Sequence, residues 1–343
     1  MRRLMAHRLF WPVAMLLALL LVNLIAFPGF FSVQVRDGHL FGSLIDILRN
    51  GSPTLMIAIG MTLVIATRGI DLSVGAICAI SGAVACSIIL GSSDPGNPGT
   101  VAVAVGAAIL LSLLLGFWNG FLVSVLGIQP IIATLILMTA GRGVAMLITE
   151  GQILTVNSPP FKVLGSGFFA GLPVSVLIAT ALFVFAVLIT RRTALGLMIE
   201  AVGINPEASR LAGVRSRGLL ISVYVFTAFC AAIAGLVLTS NQTAADANTT
   251  GLCIELDAIL AVVIGGTSLA GGRYSLFGTL IGALVIQTLV TTVYTVGIPP
   301  IATMVFKAAV VTAVCLLQSP RTTELIDSWH RRAELRRNLE VSA

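Results

Sequence analysis

The sequence predicts an all-α polytopic membrane protein with about ten transmembrane helices, and three observations support this class. Of the 343 residues, 57% are hydrophobic and only 10% are charged. The mean hydropathy is +1.04. A soluble domain carries about 25% charged residues, so a water-soluble globule of this size could not cover its surface. Most basic residues also cluster between the apolar runs, which is typical of cytoplasmic loops.

Ten segments approach the length of about 20 mostly apolar residues that a membrane helix needs. They cover residues 10–27, 52–67, 71–90, 101–126, 130–149, 172–190, 219–240, 253–270, 275–296 and 301–318. The first run exceeds the apolar region of a signal peptide, about 7–15 residues, so we interpret it as an uncleaved helix. Only Arg68-Gly69-Ile70 separates the second run from the third. These two runs form either a hairpin or one helix that is broken within the membrane.

The distribution of positive charge tests the number ten. With the N-terminus in the cytoplasm, ten spans place 15 of the 20 Lys and Arg residues inside and 3 outside. This bias follows the positive-inside rule and explains the net charge of +6 without nucleic-acid binding. It predicts two cytoplasmic termini, a single transmembrane domain over residues 1–318, and a cytoplasmic tail over residues 319–343.

A weak internal similarity relates two of the spans. The third opens with IDLSVGA from residue 70, and the eighth opens near ELDAILA from residue 255. Each begins with an acid and continues into small or apolar residues. Their span numbers differ by five, so they enter from opposite faces, as in an inverted repeat of five plus five helices. A chance match between two short segments is the alternative.

A polar loop over residues 191–218 interrupts the apolar pattern on the predicted cytoplasmic side. Asn205 can cap a short helix whose first residue is Pro206, with Glu207 in the first turn and Gly213 at the end. A helix this short between two spans cannot bury itself. It is either an ordinary surface connection or a docking element for a cytoplasmic partner.

This loop resembles the coupling helix of the permease subunits of bacterial ATP-binding-cassette sugar importers, in their ribose-type branch. The family pattern E-A-x-G-x-N-x-x-A-x-x-x-x-G-V/I is matched by Glu200, Ala201, Gly203, Asn205, Ala208, Gly213 and Val214. The resemblance implies that these residues, with Pro206 and Arg210, dock on a separate ATPase subunit. Arg210 and Glu207 can pair across that contact.

The resemblance continues in order from about residue 40 to residue 318. Further matching segments are residues 69–75, 119–120, 129–135, 255–259 and 265–272. Residues 37–48, 141–145 and 235–251 resemble the galactofuranose-type permeases within the branch. The resemblance implies two permease subunits, identical or related, around a central path in the bacterial inner membrane. A periplasmic sugar-binding protein would deliver the substrate, and analogy with the galactofuranose type favours a heterodimer.

Polar side chains within spans are candidates for the translocation path by default. They are Asp71, Trp118, Asn119, Gln129 and Asp257. Each has a structural alternative. The two acids lie at helix starts and can cap them, the amides can tie neighbouring helices together, and the tryptophan can serve packing.

Arg68 departs from the family, which has glycine at the corresponding position. At an interface its side chain can reach water, whereas a deeper turn would need a partner such as Asp71, three residues on. If the turn requires a positive φ, an arginine is strained there.

No phosphate-binding loop exists in this sequence. Its two lysines, Lys162 and Lys307, both follow phenylalanine, so no GxxxxGK[ST] motif occurs. We therefore predict a non-catalytic subunit without its own cofactor or metal, with ATP and Mg²⁺ bound by a partner ATPase. HExxH and GxSxG motifs are also missing, which argues against an intramembrane enzyme. The remaining alternative is an ion-coupled secondary sugar transporter, with Asp71 or Asp257 as the coupling acid.

Overall fold

The computed structural model describes residues 9–27, 29–36 and 38–297, together with 299, 302, 305–309 and 312. The helices are α1 (Phe10–Ala26), α2 (Ser43–Ala66), α3 (Val74–Leu90), α4 (Pro98–Ser124), α5 (Pro130–Ile148), α6 (Pro159–Ser166), α7 (Val174–Arg192), α8 (Leu195–Ile204), α9 (Pro206–Leu211), α10 (Ser216–Gln242), α11 (Ile254–Ile264) and α12 (Leu276–Thr295). Three antiparallel strand pairs connect them: β1 (Gln34–Arg36) with β2 (His39–Phe41), β3 (Leu154–Thr155) with β6 (Ala244–Ala245), and β4 (Phe168–Phe169) with β5 (Leu172–Pro173).

Six of the described helices are long and apolar enough to cross a membrane, namely α2, α4, α5, α7, α10 and α12. Helices α1 and α3 are apolar but have 17 residues each, and α11 has 11. The predicted span 301–318 lies mostly outside the described residues, and the tail 319–343 lies wholly outside them. The predicted polytopic helical class is confirmed, whereas the count of ten spans and the side of each terminus stay predictions.

Helix α10 forms the centre of the bundle, with α2, α3 and α4 packed around it. Small residues permit these approaches: a Cβ at Gly60 would lie 2.7 Å from the Thr227 backbone, and one at Gly116 would lie 2.9 Å from Tyr224 O. The share of buried residues in the most apolar 18-residue stretch of each helix is 78% in α2 and 61% in α10 but only 28% in α4 and α5. The last two helices therefore expose a broad apolar face.

Helix α2 runs antiparallel to α10. Near the start of α2, Arg49 Nη2 donates a 2.6 Å hydrogen bond to Asn241 Oδ1 at the end of α10. Further along α2, Gly60 faces Thr227, which precedes Asn241 by fourteen residues in α10.

Helix α3 runs parallel to α10. Cys78 Sγ donates to Ala231 O at 3.1 Å, and Gly82, further along α3, packs on Thr239, further along α10. Helices α2 and α3 therefore form a hairpin, which excludes the alternative of one broken helix.

Helix α11 begins inside the bundle rather than at its edge. After α10 the chain turns back until Gly251 reaches Gly75 and Cys78, level with the middle of α10. An 11-residue helix rises only about 16 Å. The prediction of one continuous helix over residues 253–270 is therefore wrong. Helix α11 ends at Ile264 because Gly265 packs directly on Gly278 and Gly266 adopts a φ of +84°.

The first turns of α3 and α11 meet inside the bundle. Paired contacts show that α11 runs opposite to α12 and that α12 runs opposite to α2. Helices α3 and α11 therefore run in opposite directions, as an inverted relationship requires. Of the two acids in α11, Glu255 rather than Asp257 lies against the start of α3, because Gly75 contacts Glu255 Oε2. The five-plus-five repeat across the whole chain stays a prediction.

Candidate functional site

Loop 191–218 contains the short capped helix that the sequence predicts. Asn205 Oδ1 accepts hydrogen bonds from the backbone N–H groups of Glu207 at 3.1 Å and Ala208 at 3.0 Å. Pro206 is the first residue of α9, where its missing N–H leaves no intrahelical bond unmade. Gly213, with a φ of +86°, turns the chain towards α10. The predicted cap is confirmed.

Most of the proposed docking residues are accessible in this chain. The exposed ones are Asn205, Pro206, Ala208, Arg210 and Gly213, while Glu200 and Ala201 are half-buried on α8. Gly203 is different because it is buried, with its Cα against Ala66 O and Gly272 N. Its small size serves a contact within the chain.

The charges of α9 neutralise each other on the same helix. Arg210 Nη2 lies 2.7 Å from Glu207 Oε1, and both side chains are well exposed. The hydrogen bond from Arg210 lowers the pKa of Glu207 below its ordinary value. Within this chain, Glu207 is therefore the partner of Arg210.

Three apolar side chains of the same loop are more than half exposed and were not singled out from the sequence. Leu197 is 75% exposed, Ile204 is 59% exposed and Leu211 is 78% exposed. Leu211 is the last residue of α9, and Ile204 directly precedes its cap. Exposed apolar groups clustered at a polar loop are typical of a protein contact. For Leu211 the available signal was its apolar character inside the polar, capped segment of α9.

A buried polar network links the start of α3 to α4. Asp71 is fully buried, and its Oδ1 accepts from Ser73 N at 2.9 Å and from Ser73 Oγ at 2.6 Å. Asn119 Nδ2 donates to Ser73 Oγ at 2.8 Å. The structure thus brings together two predicted path residues, Asp71 and Asn119, through a serine that the sequence analysis did not single out. The D-x-S spacing of an Asx turn was the available signal.

Several polar atoms beside this network find no hydrogen-bond partner among the described residues. They are Asp71 Oδ2, Asn119 Oδ1 and the hydroxyl of Tyr224. Tyr224 is buried on α10, and its hydroxyl would lie 2.6 Å from a Cβ at Gly69. Buried polar atoms of this kind are commonly satisfied by ordered water.

The other three predicted path residues lie apart from the network. Trp118 is 52% exposed on the outer face of α4, and Gln129 is exposed just before α5. Asp257 is bonded through both carboxylate oxygens to Lys307 Nζ, at 2.9 and 2.7 Å. In the part of the chain that the structure describes, no group of three His, Cys, Asp or Glu residues could hold a metal ion.

Two further arginines are held by backbone carbonyls. Arg68 adopts a φ of +65°, and its side chain donates to Gly203 O, at 2.6 Å, and to Ile204 O. Of the alternatives for Arg68, the pairing with Asp71 is excluded, because Asp71 accepts from Ser73 instead. Arg142 Nη1 donates to Ala247 O at 2.8 Å and Thr250 O at 2.7 Å.

Comparison with known proteins identifies the class of this chain. A family model described as the permease component of the branched-chain amino acid transport system matches residues 43–315. The galactofuranose transporter permease protein YtfT of Escherichia coli K12 is 50% identical, over 93% of this chain and 94% of its own length. The fructose import permease protein FruF of Bifidobacterium longum is 40% identical, over 100% and 96%. The ribose import permease protein RbsC of Haemophilus influenzae is 36% identical, over 89% and 90%.

No solved structure matches the chain. The curated relatives confirm the resemblance to permease subunits that the motifs indicated, and they do not support the ion-coupled alternative. With six membrane-capable helices among its described residues, the chain is a multi-pass membrane protein. It belongs to the family of transport-system permease components described for branched-chain amino acids.

Proposed function

We propose that this chain is the transmembrane permease subunit of an ATP-driven importer of a monosaccharide, galactofuranose or a related sugar, in a bacterial inner membrane. The observation that carries the proposal is α9, a capped and exposed helix held between the long apolar helices α7 and α10. The chain has no phosphate-binding loop, so the ATP-hydrolysing group belongs to a partner.

Helix α9 is the contact for that ATPase on the cytoplasmic side. Leu211 supplies an apolar anchor and Ala208 permits close approach, while the Glu207–Arg210 pair forms a polar rim. ATP and Mg²⁺ bind the ATPase, and this subunit contributes no catalytic residue. Closure of two ATPase subunits moves α9, and the spans open the path to alternate faces.

The exposed faces of α4 and α5 are the contact for a second permease, which analogy favours as a related chain rather than a copy. Trp118 lies on this side of α4. An open groove of about 720 Å³ is lined by the second half of α5 and by Glu150 and Gly151, which follow that helix. A path between two subunits places Trp118 and Gln129 beside the sugar, while Asp71 and Asn119 brace the helices behind them. The periplasmic binding protein docks at the opposite end from α9.

Purification of the tagged chain in mild detergent, followed by mass spectrometry, tests this proposal. We expect an ATPase with a Walker motif and a second permease in the eluate. Leu211→Glu places a charge on the docking helix and should reduce ATPase recovery at least about fivefold. Phe169→Glu is the matched control, since Phe169 is 70% exposed at the opposite end of α7. Recovery of the chain alone, together with sugar transport by that chain in liposomes, would contradict the proposal.

A further inference from the structure

Arg68 occupies a backbone conformation that is unfavourable for an arginine. Its φ of +65° lies in the left-handed region, where a side chain meets its own backbone and glycine is the least strained residue. A non-glycine residue persists in such a position when surrounding contacts hold it there. The turn that ends α2 sets this conformation, because the N–H of Arg68 donates to Ile65 O at 3.0 Å and the N–H of Gly69 donates to Val64 O at 2.9 Å. The contacts of the guanidinium group offset the strain.

The guanidinium group binds the end of α8. Its Nε donates to Gly203 O at 2.6 Å, and its Nη2 donates to Ile204 O. These are the last two carbonyls of α8, which have no N–H donor within their own helix. The C-terminal end of a helix carries a partial negative charge, so a cation is favoured there. The planar fork of arginine suits two adjacent acceptors better than a lysine ammonium does.

A third segment closes the same contact. The N–H of Gly272, in the segment that follows α11, donates to Ala66 O at 2.8 Å. A Cβ at Gly203 or Gly271 would collide with Ala66 O or with the Arg68 side chain, respectively. The end of α2, the end of α8 and the segment after α11 are therefore packed together without room for side chains.

Arg68 contacts one functional element in space and directly precedes another in the chain. On one side, its partner Ile204 directly precedes Asn205, the cap of α9. On the other side, Asp71 and Ser73 follow within five residues and hold the start of α3 against α4. One side chain thus connects the proposed docking helix to the turn that begins α3.

We propose that Arg68 is a positioning residue that transmits displacement of α9 to the α2–α3 turn and so couples ATP hydrolysis to opening of the path. This inference rests on the proposed function, because it requires an ATPase on α9. It does not require Arg68 for folding or for assembly of the complex.

The test uses the complete complex in liposomes: this chain, its ATPase, the second permease and the binding protein. Arg68→Gly removes the guanidinium group and relieves the positive φ, so the thermal midpoint should not fall. Arg68→Lys keeps a cation without the fork. Arg273→Gly is the matched control, since Arg273 is exposed in the third segment. Galactose, ribose and fructose, each at its ring-form equilibrium in water, are offered to the wild-type complex, and the sugar that is taken up fastest is the probe. The readout is the amount of sugar transported per ATP hydrolysed.

We expect Arg68→Gly to lower this ratio at least about fivefold, with ATPase binding intact. Arg68→Lys should recover part of the loss, and Arg273→Gly should leave the ratio unchanged. An unchanged ratio in Arg68→Gly overturns the inference. Loss of the ATPase from the Arg68→Gly complex also overturns it, since Arg68 would then serve assembly. Failure of the wild-type chain to bind any ATPase would instead overturn the proposed function.

Discussion

Asn119 and Ser73 are joined by a 2.8 Å hydrogen bond between Asn119 Nδ2 and Ser73 Oγ, and both residues are fully buried. The serine hydroxyl also donates to Asp71 Oδ1, so one hydroxyl serves as donor and acceptor at once. This bridge places the Asx turn of Asp71 against α4 and thereby orients the first turn of α3. A buried polar bridge of this kind specifies one arrangement of the helices, because leaving any member unpaired is costly.

Ser73→Ala should therefore destabilise the purified protein. The change removes the side-chain donor of Asp71 and leaves Asn119 Nδ2 without its acceptor, at a cost of about 1–3 kcal/mol in unfolding free energy. The thermal midpoint in detergent measures the effect. Ser222→Ala is the control, because Ser222 is exposed and bonds only to Gly218 O in its own helix. Equal midpoints for the two variants would show that the bridge adds nothing to stability.

Removal of the Asn205 cap should loosen α9 alone. Asn205→Ala leaves the N–H groups of Glu207 and Ala208 without their acceptor and costs about 1 kcal/mol of local stability. Hydrogen exchange at these two amides should accelerate, while α10 stays protected. Asn205→Asp retains an accepting oxygen and should exchange like the wild type. Faster exchange in both variants would mean that the cap is not the stabilising feature.

The meeting of α3 and α11 predicts a sharp contrast between two glycines. A Cβ at Gly75 would lie 2.5 Å from Gly251 O and would also collide with Glu255 Oε2. Gly75→Ala should therefore separate the two helix starts and lower the unfolding free energy by about 1–3 kcal/mol.

Gly106→Ala on α4 is the control, because no atom beyond the local backbone of α4 lies within 4 Å of that Cβ. Alanine also stabilises a helix interior by about 0.5–1 kcal/mol relative to glycine. The thermal midpoint should fall for Gly75→Ala and should rise or stay unchanged for Gly106→Ala. A midpoint for Gly75→Ala at or above the wild type would contradict the close approach.

The Asp257–Lys307 pair predicts coupled mutations. The two side chains are only 23% and 21% exposed, with Nζ 2.7 Å from Oδ2. Lys307→Met should strand the Asp257 carboxylate, whereas a second change, Asp257→Leu, should restore part of the lost stability. A double-mutant cycle should give a coupling of about 0.5–3 kcal/mol. Strictly additive effects would show that the pair contributes no interaction energy.

Local signals were enough to predict α9. Asn205, Pro206 and Gly213 each act within a few residues of their own position, so the cap, the first residue and the exit turn could all be inferred from the sequence. The family resemblance began at the same loop and became specific only through the further matching segments between about residue 40 and residue 318. These features depend on local backbone geometry rather than on distant packing.

Distant contacts were the part that the sequence could not reveal. Arg68 bonds to residues 135 and 136 positions away, and nothing in its neighbourhood indicates a helix end as its partner. The nearby Asp71 looked like the better partner because sequence proximity favours it. The length of α11 was also missed, since residues 253–270 are apolar enough for a full span, and the close packing of Gly265 on Gly278 that helps to end the helix early is a distant contact.

Site-directed crosslinking at Ala208 tests the central claim most directly. Ala208→Cys places a thiol on the exposed face of α9, while native Cys78, Cys86 and Cys230 are buried and Cys253 is half-buried. In membranes that contain the intact complex, a short bifunctional reagent should join this chain to the ATPase. Ser93 is exposed in the loop that follows α3, at the opposite end of that helix from the Arg68 turn, so Ser93→Cys should form no such product. An intact complex that yields no ATPase adduct from Ala208→Cys, or from other cysteines placed between residues 205 and 213, would contradict the account.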